Sequence, residues 1–232
     1  MVLQRRPDSA KGPPAQRGCR VRIAAGRTRI QTRRARRRKD DGPGTGDSNP
    51  HLFIYSTQDG YNATGCYDLT CSDFVQVSGS VTPGMTLSPV STSGGTQYEA
   101  HLLSYRDPST GNWWLQYQGV WIGYYPKSLY SSTGLLNRSS RVNVGGEIID
   151  ENSSRHTTTD MGSGAFSSSW YHYAAYVRDI KYIDTSNTWQ VPTSLSEYET
   201  DSNCYDATVG SDMPVRRAHS GIAMIGWRIS SW

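Results

Sequence analysis

The sequence predicts an all-β fold, an antiparallel sandwich or barrel. Seven or eight short apolar runs are separated by turn-forming residues along the chain. Aromatics make up 11% of residues, chiefly 15 Tyr and 7 Trp with only 3 Phe. Such rings join an apolar body to a polar tip and suit half-buried strands and wet binding grooves. Gly and Ser are abundant, and runs of strong helix formers are scarce. At 232 residues there is room for one sizeable β domain or two small ones.

The elements begin after a leader of different character. Residues 1–50 hold 14 Lys and Arg against 4 acids, and the remainder holds 10 against 16, so the overall +4 describes neither part. The leader is rich in Arg, Pro and Gly, with the run Arg33-Arg34-Ala35-Arg36-Arg37-Arg38-Lys39. It lacks apolar periodicity and is expected to be disordered. A solvated tail, or a stretch foreign to the natural protein, is preferred over a nuclear-localisation or nucleic-acid arm, because basic runs match many sequences by chance. It carries no secretory h-region, and no run long enough to span a bilayer occurs anywhere.

Residues 51–232 form the predicted domain. His51-Leu52-Phe53-Ile54-Tyr55-Ser56-Thr57 reads as the first strand, a loop runs from Gln58 to Cys71, and Asp73-Phe74-Val75-Gln76-Val77 reads as the second. Gln97 to Tyr105 is the third, closed by the turn Asp107-Pro108-Ser109-Thr110-Gly111. Asn112 to Tyr117 and Val120 to Tyr125 make a hairpin around Gly119, and Arg141–Ile149, Tyr171–Val177 and Ile180–Asp184 supply further strands.

Four cysteines occur, Cys19, Cys66, Cys71 and Cys204. Cys66 and Cys71 lie close enough for a small disulfide ring. A zinc site is the competing idea, but the spacing is not C-x₂-C and no His cluster accompanies it. Acceptor sequons begin at Asn62, Asn137 and Asn152. With the Cys66/Cys71 ring they point residues 51–232 toward an oxidising, secretory environment.

One acid stands out, Glu147 in Val144-Gly145-Gly146-Glu147-Ile148-Ile149. Apolar neighbours can raise a carboxyl pKa, and paired glycines let a ligand approach the backbone closely. On spacing alone, a solvated strand glutamate is the default.

A set of motifs occurs in a fixed order along the predicted domain. It comprises Leu52-Phe53-Ile54-Tyr55, Gly60-Tyr61-Asn62-Ala63-Thr64-Gly65-Cys66-Tyr67-Asp68-Leu69-Thr70-Cys71, Ser88-Pro89-Val90-Ser91, and Gly111-Asn112-Trp113-Trp114-Leu115-Gln116. Ile122-Gly123-Tyr124-Tyr125-Pro126, Gly145-Gly146-Glu147-Ile148, Thr158-Thr159-Asp160-Met161-Gly162-Ser163-Gly164 and Ser202-Asn203-Cys204-Tyr205-Asp206 complete it. This set resembles the neprosin domain of plant secreted proteins, and its order and spacing hold from about His51 to Gly210. The resemblance implies a two-sheet antiparallel β-sandwich and a glutamic peptidase cleaving after proline in acid. It also implies secretion to an extracellular or vacuolar space, and no metal or organic cofactor. A monomer acting on proline-containing peptides, with no membrane or nucleic-acid partner, is expected.

By the resemblance Glu147 is one of two catalytic glutamates. Two close carboxyls cannot both ionise easily, so one keeps a proton in acid. The ionised one draws a proton from water, while its partner polarises the carbonyl and protonates the leaving amine. The family's other glutamate lies upstream of His51, on a strand reading Ile-Glu-x-Gly-Trp, and residues 1–50 contain no glutamate. Among the remaining glutamates, Glu99 is the least implausible substitute. The tail from about residue 211 departs from the family as well, leaving Cys204 without its usual partner and expected as a free thiol. Loss of the upstream strand is expected to bare its neighbours' edges and to leave a poorly stable, weakly active or inactive chain.

The aromatics Trp113, Trp114, Trp121, Tyr124 and Tyr125 have two competing uses, a proline-stacking groove or core and cross-strand pairs. Alternation along a strand forbids Trp113 and Trp114 from lining one groove. Trp114 and Tyr124 are the substrate-binding candidates. The rival functions are a non-catalytic β-sandwich binding peptide or glycan through these rings, and nucleic-acid contact by the basic arm. His101, His156, His172 and Ser163 show no triad spacing.

Overall fold

The computed structural model describes residues 2–4, 28–34, 50–57, 64–132, 134–139, 142, 144–145, 162–198, 206–210 and 227–230. Regular structure among them is strand apart from two 3-10 turns, Lys127–Leu129 and Ser167–Ser169. The strands are β1 (Val2–Gln4), β2 (Thr28–Arg34), β3 (Pro50–Ser56), β4 (Cys66–Tyr67), β5 (Val75–Gln76) and β6 (Glu99–Arg106). They continue with β7 (Trp113–Tyr117), β8 (Val120–Tyr125), β9 (Val177–Arg178), β10 (Tyr182–Ile183), β11 (Trp189–Gln190), β12 (Asp206–Thr208) and β13 (Trp227–Ser230). The fold is all-β, and every pairing is antiparallel.

The largest sheet has the order β5-β8-β7-β6-β13-β9, a second has the order β2-β3-β4, and the pairs β1-β12 and β10-β11 complete the set. The β7–β8 connection is two residues long, with Gln118 at φ 49 and Gly119 at φ 81. Positive φ at both central positions makes a type I′ turn, whose twist matches that of the flanking strands. Asp107 organises the β6–β7 turn by accepting hydrogen bonds from Ser109 N (3.0 Å), Ser109 Oγ (2.8 Å) and Thr110 Oγ1 (2.5 Å). The Thr110 hydroxyl first, then Ser109, lower its pKa to about 2.

One core joins the two larger sheets. Leu52 and Ile54 of β3 pack with Leu102 of β6, Leu115 of β7, Ile122 and Tyr125 of β8, and Phe74, Leu87, Tyr130 and Leu135 from the loops. Alternation explains why β3 contributes Leu52 and Ile54 to this face and leaves Phe53 and Tyr55 half-buried.

Several expectations are revised. Within the basic leader, β2 pairs with all of β3, from Thr28 opposite Ser56 to Arg34 opposite Pro50, and β1 pairs with β12. The rest of residues 1–49 lies outside the described residues. The raw edge expected on β3 is therefore covered. Its other edge is occupied too, since Leu52 N–H donates to Met85 O, Leu87 N–H to Pro50 O and Ile54 N–H to Asp68 Oδ1 (each 2.8–2.9 Å). A buried strand has strong cause to recruit such partners, because an unpaired backbone group away from water costs about as much as a lost hydrogen bond.

The atypical tail likewise supplies β13, inserted between β6 and β9. The strand expected over Tyr171–Val177 is mostly a turn, with only Val177 extended into β9. Trp170 and His172 adopt positive φ there, and aromatic strand formers cannot extend a ladder from that conformation. Most of the strand expected over Arg141–Ile149 lies outside the described residues.

Candidate functional site

The hairpin separates its aromatics by face. Trp114 on β7 stands opposite Tyr124 on β8, with ring centroids 4.7 Å apart. Trp121 meets Trp114 edge-on at 5.8 Å and lies 6.4 Å from Tyr105, which is itself opposite Trp114 in the β6–β7 register. Four rings thus share one face of three strands. A bulge between Leu115 and Gln116 breaks simple alternation and brings Trp121 onto this face. Trp113 and Tyr125 point the other way. The indole Nε1 of Trp113 donates to Leu135 O at 2.7 Å, and the Tyr125 ring packs at 5.0 Å against Phe74 within the core.

Tyr125 is 2% exposed, and its hydroxyl has no hydrogen-bond partner among the described residues. Burial foremost, with Tyr130, Asp68 and Asp73 nearby, pushes its pKa far up. Asp68 is also raised, chiefly by burial, against the opposing effects of the Ile54 N–H and of His51.

Glu99, considered from the sequence as a substitute for a second catalytic glutamate, is otherwise engaged. Arg178 grips both its carboxylate oxygens, Nε to Oε1 and Nη2 to Oε2, each at 2.7 Å, and the Tyr176 hydroxyl donates to Oε1 at 2.5 Å. Arg178 also meets Asp179 at 3.3 Å. In register, Glu99 is opposite Ser230 and Arg178 opposite Arg228, so this bridge spans β13. A carboxylate clamped in that way is poorly placed to shuttle protons to a substrate. The sequence signal for the clamp was only Glu99 inside one apolar run and Arg178 in the gap between two others. A third polar cluster also escaped sequence reading. Ser167 donates from Oγ to Asp206 Oδ2 at 2.5 Å and from N to Oδ1 at 3.1 Å, with Thr208 Oγ1 at 2.9 Å from the same hydroxyl.

Glu147 and the sequons at Asn62 and Asn152 lie outside the described residues, as do Cys19, Cys204 and His156. Val144, three positions before Glu147, is buried, and Asn137 is exposed. Cys66 and Cys71 form a disulfide. An Asp73 oxygen lies within 4.8 Å of their sulfurs, but bridged sulfurs offer no thiolate to a metal. Ser163 Oγ accepts from Ala165 N and Ala175 N, and His172 Nδ1 pairs with Gly95 O. Those bonds do not assemble a triad. Among the described residues, no helix is long and apolar enough to cross a membrane.

The Neprosin family model matches residues 43–220, most of the chain, including the aromatic hairpin, the Cys66–Cys71 ring and Glu147. The chain belongs to the neprosin family. Membership supports a peptidase-like function in general. Strands β1, β2 and β13 lie outside the stretch matched to the neprosin family, yet each pairs with a strand inside it.

Proposed function

We propose that the protein is a secreted neprosin-type peptidase domain that recognises proline in peptides and hydrolyses the following bond feebly, in acid, with Glu147 as its one matching catalytic acid. The observation that carries this reading is the shared face of Tyr105, Trp114, Trp121 and Tyr124. Flat rings stack on a pyrrolidine, and Trp114 with Tyr124 supplies the closest pair. Glu147 activates the water when ionised. Without a second, protonated carboxyl, polarisation of the carbonyl and protonation of the leaving amine are unsupported, and general acid–base help of that kind is worth about 10²–10⁴ in rate.

A fluorogenic peptide with one internal proline, followed from acid to neutral pH, tests this. Slow cleavage after proline in acid is expected, abolished in Glu147→Gln and shifted to higher KM in Trp114→Ala. Brisk cleavage that survives Glu147→Gln would overturn the assignment. A second reading, peptide capture without hydrolysis, is favoured by the engagement of Glu99 with Arg178 and Tyr176. It requires proline-peptide binding that is lost in Trp114→Ala, with no turnover at any pH.

A further inference from the structure

The turn Trp170-Tyr171-His172-Tyr173 presents rings to solvent, with Trp170 51%, Tyr171 41% and Tyr173 50% exposed. Its backbone is strained to do so. Trp170 sits at φ 61 and ψ −172, a region that essentially only glycine occupies, and His172 sits at φ 75. Glycine would relax both positions, so the conformation makes sense only through what the side chains do.

The turn is also fixed in place. Gly94 N–H donates to His172 O at 2.9 Å, Gln97 Nε2 reaches the same oxygen at 3.3 Å, and His172 Nδ1 pairs with Gly95 O at 3.1 Å. The Tyr173 ring lies over Gly94, where an added Cβ would come within 3.1 Å of it. The outer edge of Trp170 lies by Gly210, where an added Cβ would be 3.6 Å away. Two half-exposed rings are thus each backed by a glycine on one side and open on the other. The stretches that build this surface, 88–98, 162–177 and 207–210, contain no Lys, Arg, Asp or Glu, and the charged groups that border them are engaged: Glu99 with Arg178 and Tyr176, Asp206 with Ser167, and Glu197 with Val209 N–H. They are rich in Ser and Thr, with Gln97 and the Tyr hydroxyls alongside.

We propose that Trp170 and Tyr173 form a stacking platform for the pyranose rings of a neutral glycan. The C–H face of a pyranose is apolar and matches the electron-rich face of an aromatic ring, while sugar hydroxyls pair with the surrounding hydroxyl and amide groups. No Lys or Arg lies within these stretches, and the bordering Arg178 is held by Glu99, which argues against phosphate-bearing or acidic ligands, whose recognition draws on Lys and Arg. This surface is separate from the hairpin face assigned to peptide, and the proposal stands or falls without that assignment.

The test is affinity electrophoresis of the full chain through gels containing barley β-glucan, xylan or galactomannan, followed by calorimetry with the matching oligosaccharide. Retardation by at least one neutral polysaccharide is expected, with affinity reduced tenfold or more in Trp170→Ala and in Tyr173→Ala. Trp170→Gly separates binding from folding: it relieves the backbone, so the melting temperature should hold or rise while binding is lost. No retardation by any of the three polymers overturns the proposal. So does binding that persists in Trp170→Gly, or that responds to Trp114→Ala instead.

Discussion

The region built on β3, β6, β7 and β8 is held chiefly by burial, whereas residues 162–198 and 206–210 add directional polar bonds to a smaller set of buried apolar side chains. In the first, Leu52, Ile54, Leu115 and Ile122 are completely buried and pack into one core. In the second, the buried apolar side chains among the described residues are fewer: Phe166, Ala174, Tyr176, Val177 and Ala207. Order there comes from the Glu99–Arg178–Tyr176 clamp, the Ser167–Asp206–Thr208 cluster and the Glu197 carboxylate accepting from Val209 N–H. Apolar burial is non-directional and depends on filled volume, while polar clamps depend on geometry and on protonation. Those different dependences leave the second region room to expose its rings.

The contrast can be broken most sharply at Leu115. Leu115→Ala is expected to lower stability by about 3 kcal/mol, as large-to-small changes in a closed core do, read by denaturant unfolding. Glu99→Gln should cost less, about 2 kcal/mol, by weakening the two-pronged carboxylate grip on the partly buried Arg178, which keeps only Asp179 as a charge partner among the described residues. A larger loss from Glu99→Gln than from Leu115→Ala would reverse the contrast.

The smallest effect is expected at Asp68 and concerns pH. Burial raises its pKa in the folded state above the ordinary 3.8. The folded protein then binds more protons than the unfolded chain between those two pKa values, so this group's contribution is complete in stronger acid and is lost as pH rises through the folded pKa. Asp68→Asn keeps an acceptor for Ile54 N–H without the titration. The variant should gain on the wild type as pH rises toward neutral, in melts across an acid-to-neutral series. An unchanged difference between the two proteins at every pH would show that Asp68 does not carry this dependence.

Local chemistry made part of the fold legible. The hairpin around Gly119 and the strand beginning near His51 follow from alternation and turn residues, and the structure places them within a residue or two. The opposite facing of Trp113 and Trp114 also follows from the pleat. Strands β4 and β11 escape because two residues carry no periodicity and no longer apolar run surrounds them, and β12 because it is only three. Strands β2 and β13 escape for another reason, since their partners are remote in sequence and their own residues do not announce them. At the site, Trp114 and Tyr124 were readable as neighbours on a hairpin. The Glu99 clamp was not, because its members come together only when β9 lies two strands away from β6 across β13. Propensity is blind to that distance.

The position of β13 has a kinetic consequence. The widest sheet is completed from within by a strand that a ribosome makes after all the sheet's other strands, so β6 and β9 must wait for the strand that separates them. Pairings of such long sequence separation are slow to form, and an edge left waiting invites association with another chain. Yield of soluble protein should therefore depend on how slowly and how dilutely the chain is made, even where the finished fold is sound.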